Sequence, residues 1–183
     1  MRRLIFTTLG LICGLVMYAA SGGAGYKIQL NVGDMKDAPA YLAYYMNGKT
    51  YSRDTIQLNA KGVGTFTSKD GKALEEGTYI VYFTPEKFFD ILVGKEQNLK
   101  ITVDTANLVE ATVTGATVSS DFQDWVKFLT GMNKERTDLV NKYKQKEIDS
   151  VGYVKTFEEM TKKVEGKQSA LLEAHKNDFL GAY

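Results

Sequence analysis

Ala40-Tyr-Leu-Ala-Tyr-Tyr-Met46, then Asn47-Gly48, then Lys49-Thr-Tyr-Ser-Arg-Asp-Thr-Ile-Gln-Leu58 is the stretch from which the fold is read. Asn-Gly is the pair best suited to a type I′ turn, because both central positions need positive φ. Aromatic and β-branched runs flank it on both sides, so the stretch predicts an antiparallel hairpin.

The same grammar extends outward. Tyr26-Lys-Ile-Gln-Leu-Asn-Val32 alternates strictly, with Tyr26, Ile28, Leu30 and Val32 on one face and Lys27, Gln29 and Asn31 on the other. Further strands are expected at Gly64–Thr67, Thr78–Thr84, Phe88–Val93, Leu99–Val103 and Val109–Thr114, divided by turn signals such as Lys69-Asp70-Gly71 and Gly94-Lys95-Glu96. Seven or eight short strands without an intervening helical pattern predict antiparallel sheets packed face to face, with a small barrel as the alternative.

After Gly115 the period changes. Ser120-Asp-Phe-Gln123 reads as a capping box, followed by the helical stripe Phe122, Trp125, Val126, Leu129, Met132, Leu139, Val140 and Tyr143. A second capping box, Thr156-Phe-Glu-Glu159, is expected to open a helix with the stripe Phe157, Met160, Val164, Leu171, Leu172 and Phe179, after a polar linker around 145–152. Asn177 or Asp178 is expected to cap a further helix carrying Phe179, Leu180 and Tyr183. The fold class is therefore α+β: a β-sandwich over 25–116 and an amphipathic helical region over 117–183 that reads as incomplete at its C-terminus.

The front of the chain has a basic Met-Arg-Arg start, an apolar run from Leu4 to Ala20 and a small-residue exit from Ser21 to Gly25. These are the three parts of a secretory signal peptide over 1–24, with cleavage expected near Ala24. An uncleaved anchor would need about 20 apolar residues, and this run is shorter. Lipid attachment at Cys13 is disfavoured by Ile12 before it, and Arg2-Arg3 serves a plain basic start as well as twin-arginine export. The expected location is periplasmic or secreted, with membrane contact only through the signal sequence.

Export shapes the chemistry. Cys13 is the chain's single cysteine and His175 its single histidine. A mature chain without a thiol has no means for disulfide exchange, cysteine catalysis or Cys/His metal cages. No cofactor, metal site or catalytic residue is expected. With 23 basic and 22 acidic side chains there is no field to draw in nucleic acid. The 44% hydrophobic content is ordinary for a globular domain, so stability must come from apolar burial rather than disulfides.

Candidate sites are few. Tyr41, Tyr44, Tyr45 and Tyr51 crowd the hairpin, with Tyr41 and Tyr45 on one face and Tyr44 on the other; an open face could stack on sugars or clasp a peptide, against cross-strand pairing and core filling. His175 has no partners beyond carboxylates such as Glu173 or Asp178 and reads as a packing or boundary residue. Trp125 reads as a helix anchor. The carboxylate pairs Glu75/Glu76, Asp121/Asp124 and Glu158/Glu159 are explained by turns, helix starts and capping, which leaves a hydrolase without a convergent constellation.

Leu74-Glu-Glu-Gly-Thr-Tyr-Ile-Val-Tyr82 and Phe89-Asp-Ile-Leu-Val-Gly-Lys-Glu-Gln-Asn-Leu-Lys-Ile-Thr-Val103, preceded by the strands and followed by a helical tract, resemble a modular arrangement. It is the domain of unknown function at the N-terminus of Gram-negative envelope proteins that continue into a helical linker and a thioredoxin/peroxiredoxin-like domain. The likeness spans roughly 25–183. Redox work in such proteins belongs to a Cys-x-x-Cys pair, for which this sequence has no matching position. The resemblance implies a non-catalytic accessory module that contacts a protein partner or a tethered thioredoxin-like domain. The alternative is a stand-alone envelope protein binding glycan or peptide through the tyrosine hairpin.

Overall fold

Asn47 and Gly48 adopt φ of 52° and 72° and turn β2 (Pro39–Met46) back into β3 (Lys49–Gln57). The computed structural model describes residues 25–182; the leader, Cys13 and Tyr183 lie outside them. Around the hairpin stand β1 (Lys27–Val32), β4 (Val63–Thr67), β5 (Gly77–Thr84), β6 (Lys87–Val93), β7 (Asn98–Val103) and β8 (Thr112–Thr114). They form two four-stranded sheets, ordered β4-β1-β7-β8 and β3-β2-β5-β6. The fold is α+β with a β-sandwich, not a closed barrel.

The two sheets meet through their alternating faces. Ile28, Leu30, Phe66, Leu99 and Ile101 from one sheet pack with Ala40, Leu42, Val81, Ile91 and Val93 from the other in a single apolar core. Antiparallel pairing dominates, but β1 and β7 run parallel, Ile28 opposite Leu99 and Leu30 opposite Ile101. The chain crosses between sheets four times from β1 to β7, and the other side of β1 is already taken by antiparallel β4. The expected strand over 109–114 is instead a 3-10 turn, Leu108–Glu110, followed by the short β8.

Gly115 makes the exit from the sandwich. Its φ is +95°, and a Cβ there would sit 2.2 Å from the Asn98 carbonyl oxygen, so only glycine fits. Behind it α1 (Thr117–Lys144) and α2 (Ser150–Ala174) form a helical hairpin, and α3 (Phe179–Ala182) folds back on its root. Both expected capping boxes are corrected. α1 starts before Ser120, whose hydroxyl bonds back to the Ala116 carbonyl, while Glu96 from the β6–β7 turn accepts the Thr117 N–H at 3.1 Å. α2 starts before Thr156, because Asp149 accepts the Gly152 N–H at 2.7 Å.

Gln123 is engaged elsewhere. β6 is the outermost strand of its sheet, and two of its carbonyls point at α1: Ser119 Oγ donates to Leu92 and Gln123 Nε2 donates to Asp90. Ser119 and Gln123 lie one turn apart on one helical face, so α1 covers the sheet edge as a neighbouring strand would. Leu92, Phe122 and Leu180 close a second apolar cluster beside these bonds.

Because a buried carbonyl left unpaired costs about 1–3 kcal/mol, Ser119→Ala and Gln123→Ala should each lower stability by that amount in urea denaturation. Ser120→Ala should change it by less than about 0.5 kcal/mol, whereas a capping serine would cost about 1.

Candidate functional site

The hairpin tyrosines divide between two places. Tyr41 and Tyr45 project from the outer face of their sheet, away from the core, and Tyr44 and Tyr51 lie at the mouth of the sandwich. On the outer face Tyr41 stacks on Tyr82, the ring centroids 4.6 Å apart and 13° from parallel. Beside them opens a hollow of about 300 Å³ lined by Tyr45, Thr50, Ile80, Tyr82, Thr84, Pro85 and Phe88. Ile80 is its buried floor, while Tyr45 and Phe88 are 56% and 46% exposed. The lining carries no charge: flat apolar rings rimmed by hydroxyls suit a neutral ligand with apolar faces and polar edges.

At the mouth, Tyr44 stacks on Tyr51 at 5.6 Å and meets Tyr79 at 6.2 Å. The Tyr79 hydroxyl donates to the Glu75 carbonyl, and burial, then the nearby Glu75 charge, pushes its pKa upward. Arg53, Lys72 and Glu75 make this hollow charged where the outer one is neutral. Sequence reading missed Tyr79, Tyr82 and Phe88. Alternation within Thr78–Thr84 separates Tyr79 from Tyr82, but nothing local brings either beside the first hairpin.

Three carboxylates, buried Asp54, exposed Asp34 and half-buried Asp90, have different surroundings. Asp54 is turned into the sandwich and accepts bonds from Lys69 Nζ at 3.1 Å, from the Thr55 N–H and, at 3.4 Å, from the Tyr26 hydroxyl. Burial, then the Asp54 charge, raises the Tyr26 pKa. Asp34 accepts both the hydroxyl and the N–H of Thr105, and those bonds hold it below the usual carboxylate range. Asp90 differs: its Oδ1 is buried without a partner, and burial alone pushes its pKa up. It stands on β6 between exposed Phe88 and buried Leu92, under the α1 edge.

His175 closes α2. It is 3% exposed, with Nδ1 at 2.7 Å from Asp178 and Nε2 at 2.9 Å from Asp121. Asp178 was foreseen as a partner and Asp121 was not, since 54 residues separate it from His175. Asp178 also caps α3 by accepting the Leu180 N–H. Trp125 stacks on Phe128 of its own helix, and Phe128 in turn lies under the Lys167 ammonium of α2 at 4.8 Å.

The remaining carboxylate pairs do not converge. Asp121 belongs to the histidine cluster, Asp124 is exposed beside it in the chain, and Glu75, Glu76, Glu158 and Glu159 are exposed on a turn and on α2. Among the described residues no group of three or more His, Cys, Asp or Glu side chains is arranged to hold a metal ion, and no helix is long and apolar enough to cross a membrane. No protein-family model matches this chain, and no curated protein matches it either.

An unpaired buried carboxylate has a definite pH signature. The Asp90 pKa lies above the ordinary 3.8 in the folded state, so folding is favoured by the protonated form and opposed by the ionised one. The stability of Asp90→Asn relative to the natural protein should therefore move in the variant's favour as pH rises from about 4 to about 7 in urea titrations. A pH-independent difference would show that Asp90 is solvated.

Proposed function

We propose that this chain is a non-catalytic protein-contact module of the bacterial cell envelope, the N-terminal part of an exported thiol-disulfide interchange protein. The observation that carries this reading is the helical hairpin. α2 has 25 residues and buries none of them, although a helix of that length, about 38 Å, is rarely stable without a covered apolar face. Val151, Val154, Phe157 and Leu172 are 73%, 52%, 41% and 46% exposed. Between the helices a groove of about 260 Å³ is lined by Leu129, Met132, Phe157, Met160 and Val164, with Arg136 and Glu165 on its rim. A two-helix layer with an open apolar groove suits a third element from a partner or a tethered domain.

A second reading, binding of a neutral glycan or peptide, is favoured by the uncharged aromatic hollow around Tyr45, Tyr82 and Phe88.

A photo-crosslinking residue placed at Val154 or Phe157 in the exported protein should label an envelope thioredoxin-like domain, and one at exposed Lys100 on β7 should not. Equal labelling at all three positions, or labelling only of unrelated proteins, would remove the first reading. Under the second reading, Tyr82→Ala and Phe88→Ala should each weaken glycan or peptide binding by about 1–3 kcal/mol in calorimetry, with Tyr51→Ala unchanged.

A further inference from the structure

Three elements meet at His175. α2 ends there, α1 supplies Asp121, and the segment leading into α3 supplies Asp178. The packing around it ties the same pieces together: Leu180 and Phe179 of α3 and Leu171 of α2 pack with Leu92 of β6 and Phe122, Val118 and Val126 of α1. The turn is tight enough that a Cβ on Gly181 would sit 2.1 Å from the His175 carbonyl oxygen. α2 packs mainly on α1 and, at this joint, on α3, rather than on the sheets.

We propose that His175 is a proton-operated latch that fastens the end of α2 and the segment through α3 to the root of α1. An imidazolium donates from both nitrogens and satisfies both carboxylates at once. A neutral ring has one N–H, so its second nitrogen turns a lone pair toward a carboxylate oxygen at hydrogen-bond distance. One of the two ties is then replaced by repulsion at a ring that is itself buried, although Asp121 and Asp178 keep part of their surface in water.

The surroundings favour the closed form. On α1 the facing group is Asp121. Glu173 of α2 pairs at 2.6 Å with Lys176 of the joining segment, on which Asp178 also stands. Across a hollow of about 310 Å³ from Asp178 lie Glu76, just before β5, and Lys95 and Glu96 of the β6–β7 turn. The balance of these charges is acidic, with Lys95 the opposing cation. Burial pulls the His175 pKa down, but the hydrogen bonds to Asp178 and Asp121 and their charges outweigh it, leaving the group above its ordinary 6.5. The latch therefore contributes fully below 6.5 and is lost as pH climbs through the raised folded value.

Amide hydrogen exchange on the full chain tests this, with rates corrected for intrinsic exchange at about pH 6 and about pH 9. Protection of the amides of 175–182 should fall severalfold while those of the sandwich core stay level. The fall should vanish in His175→Gln and shrink in Asp121→Asn. Because His175 is the chain's single histidine, its ring resonances are unambiguous and should titrate above 6.5 in the natural protein, whatever either variant does to folding. Level protection across the pH range, a fall that persists in His175→Gln, or a ring that titrates at or below 6.5 would each overturn the latch.

Discussion

The fastening of α1 to the free edge of β6 is the constraint on which the rest of the molecule depends. A sheet's last strand presents carbonyls that must find donors, water or another strand. Here Ser119 and Gln123 supply the donors, and Ser119 is fully buried where it does so. Each bond contributes only about 1 kcal/mol net, but the cost of losing one is the desolvated carbonyl left behind. The two bonds set the rotation of α1, and that rotation puts Phe122 onto Leu92 and leaves Asp121 to meet His175.

The sandwich and the helices are held by unequal means. The sandwich core joins residues from both sheets, and burial of each large side chain there is worth about 1.5–3 kcal/mol. The helical hairpin has only Met132 and Leu139 buried along the distal part of α1, and nothing buried on α2. The tilted Tyr143–Tyr153 pair at 5.0 Å and the Phe128–Lys167 contact are partly exposed and add less. Local opening should therefore begin in the hairpin, well before the sheets yield.

Local chemistry was legible in the sequence and long-range chemistry was not. The Asn47-Gly48 turn, the alternation of Tyr26–Val32 and the Asp178 cap depend on neighbours within a few residues, and each is found where the pattern put it. The capping boxes failed because the residues that formed the pattern had other uses. Gln123 was needed 33 residues away on Asp90, and Glu96, 21 residues upstream, already served the first turn of α1. Tyr41 and Tyr45 could be placed on one face, but their companions Tyr82 and Phe88 come from β5 and β6, whose pairing no local signal specifies. The parallel β1–β7 pair was hidden for the same reason.

The two ends of the helical hairpin answer to different physics. At its far end, the chain reverses over 145–149, and its bonds are local: Asp149 caps α2, and the Glu147 N–H returns to the Lys142 carbonyl. No distant residue is needed, so that turn forms whenever the helices do. At the root, the local His175–Asp178 pair is joined by ties that span the chain, from Asp121 to His175 and from Leu92 to Leu180, and the polar ties involve charged carboxylates. Hydrophobic burial there responds weakly to acidity, while an ion pair around a histidine responds strongly near neutral pH. With local bonds at its tip and a histidine at its root, the hairpin carries its response to pH near neutrality at the root.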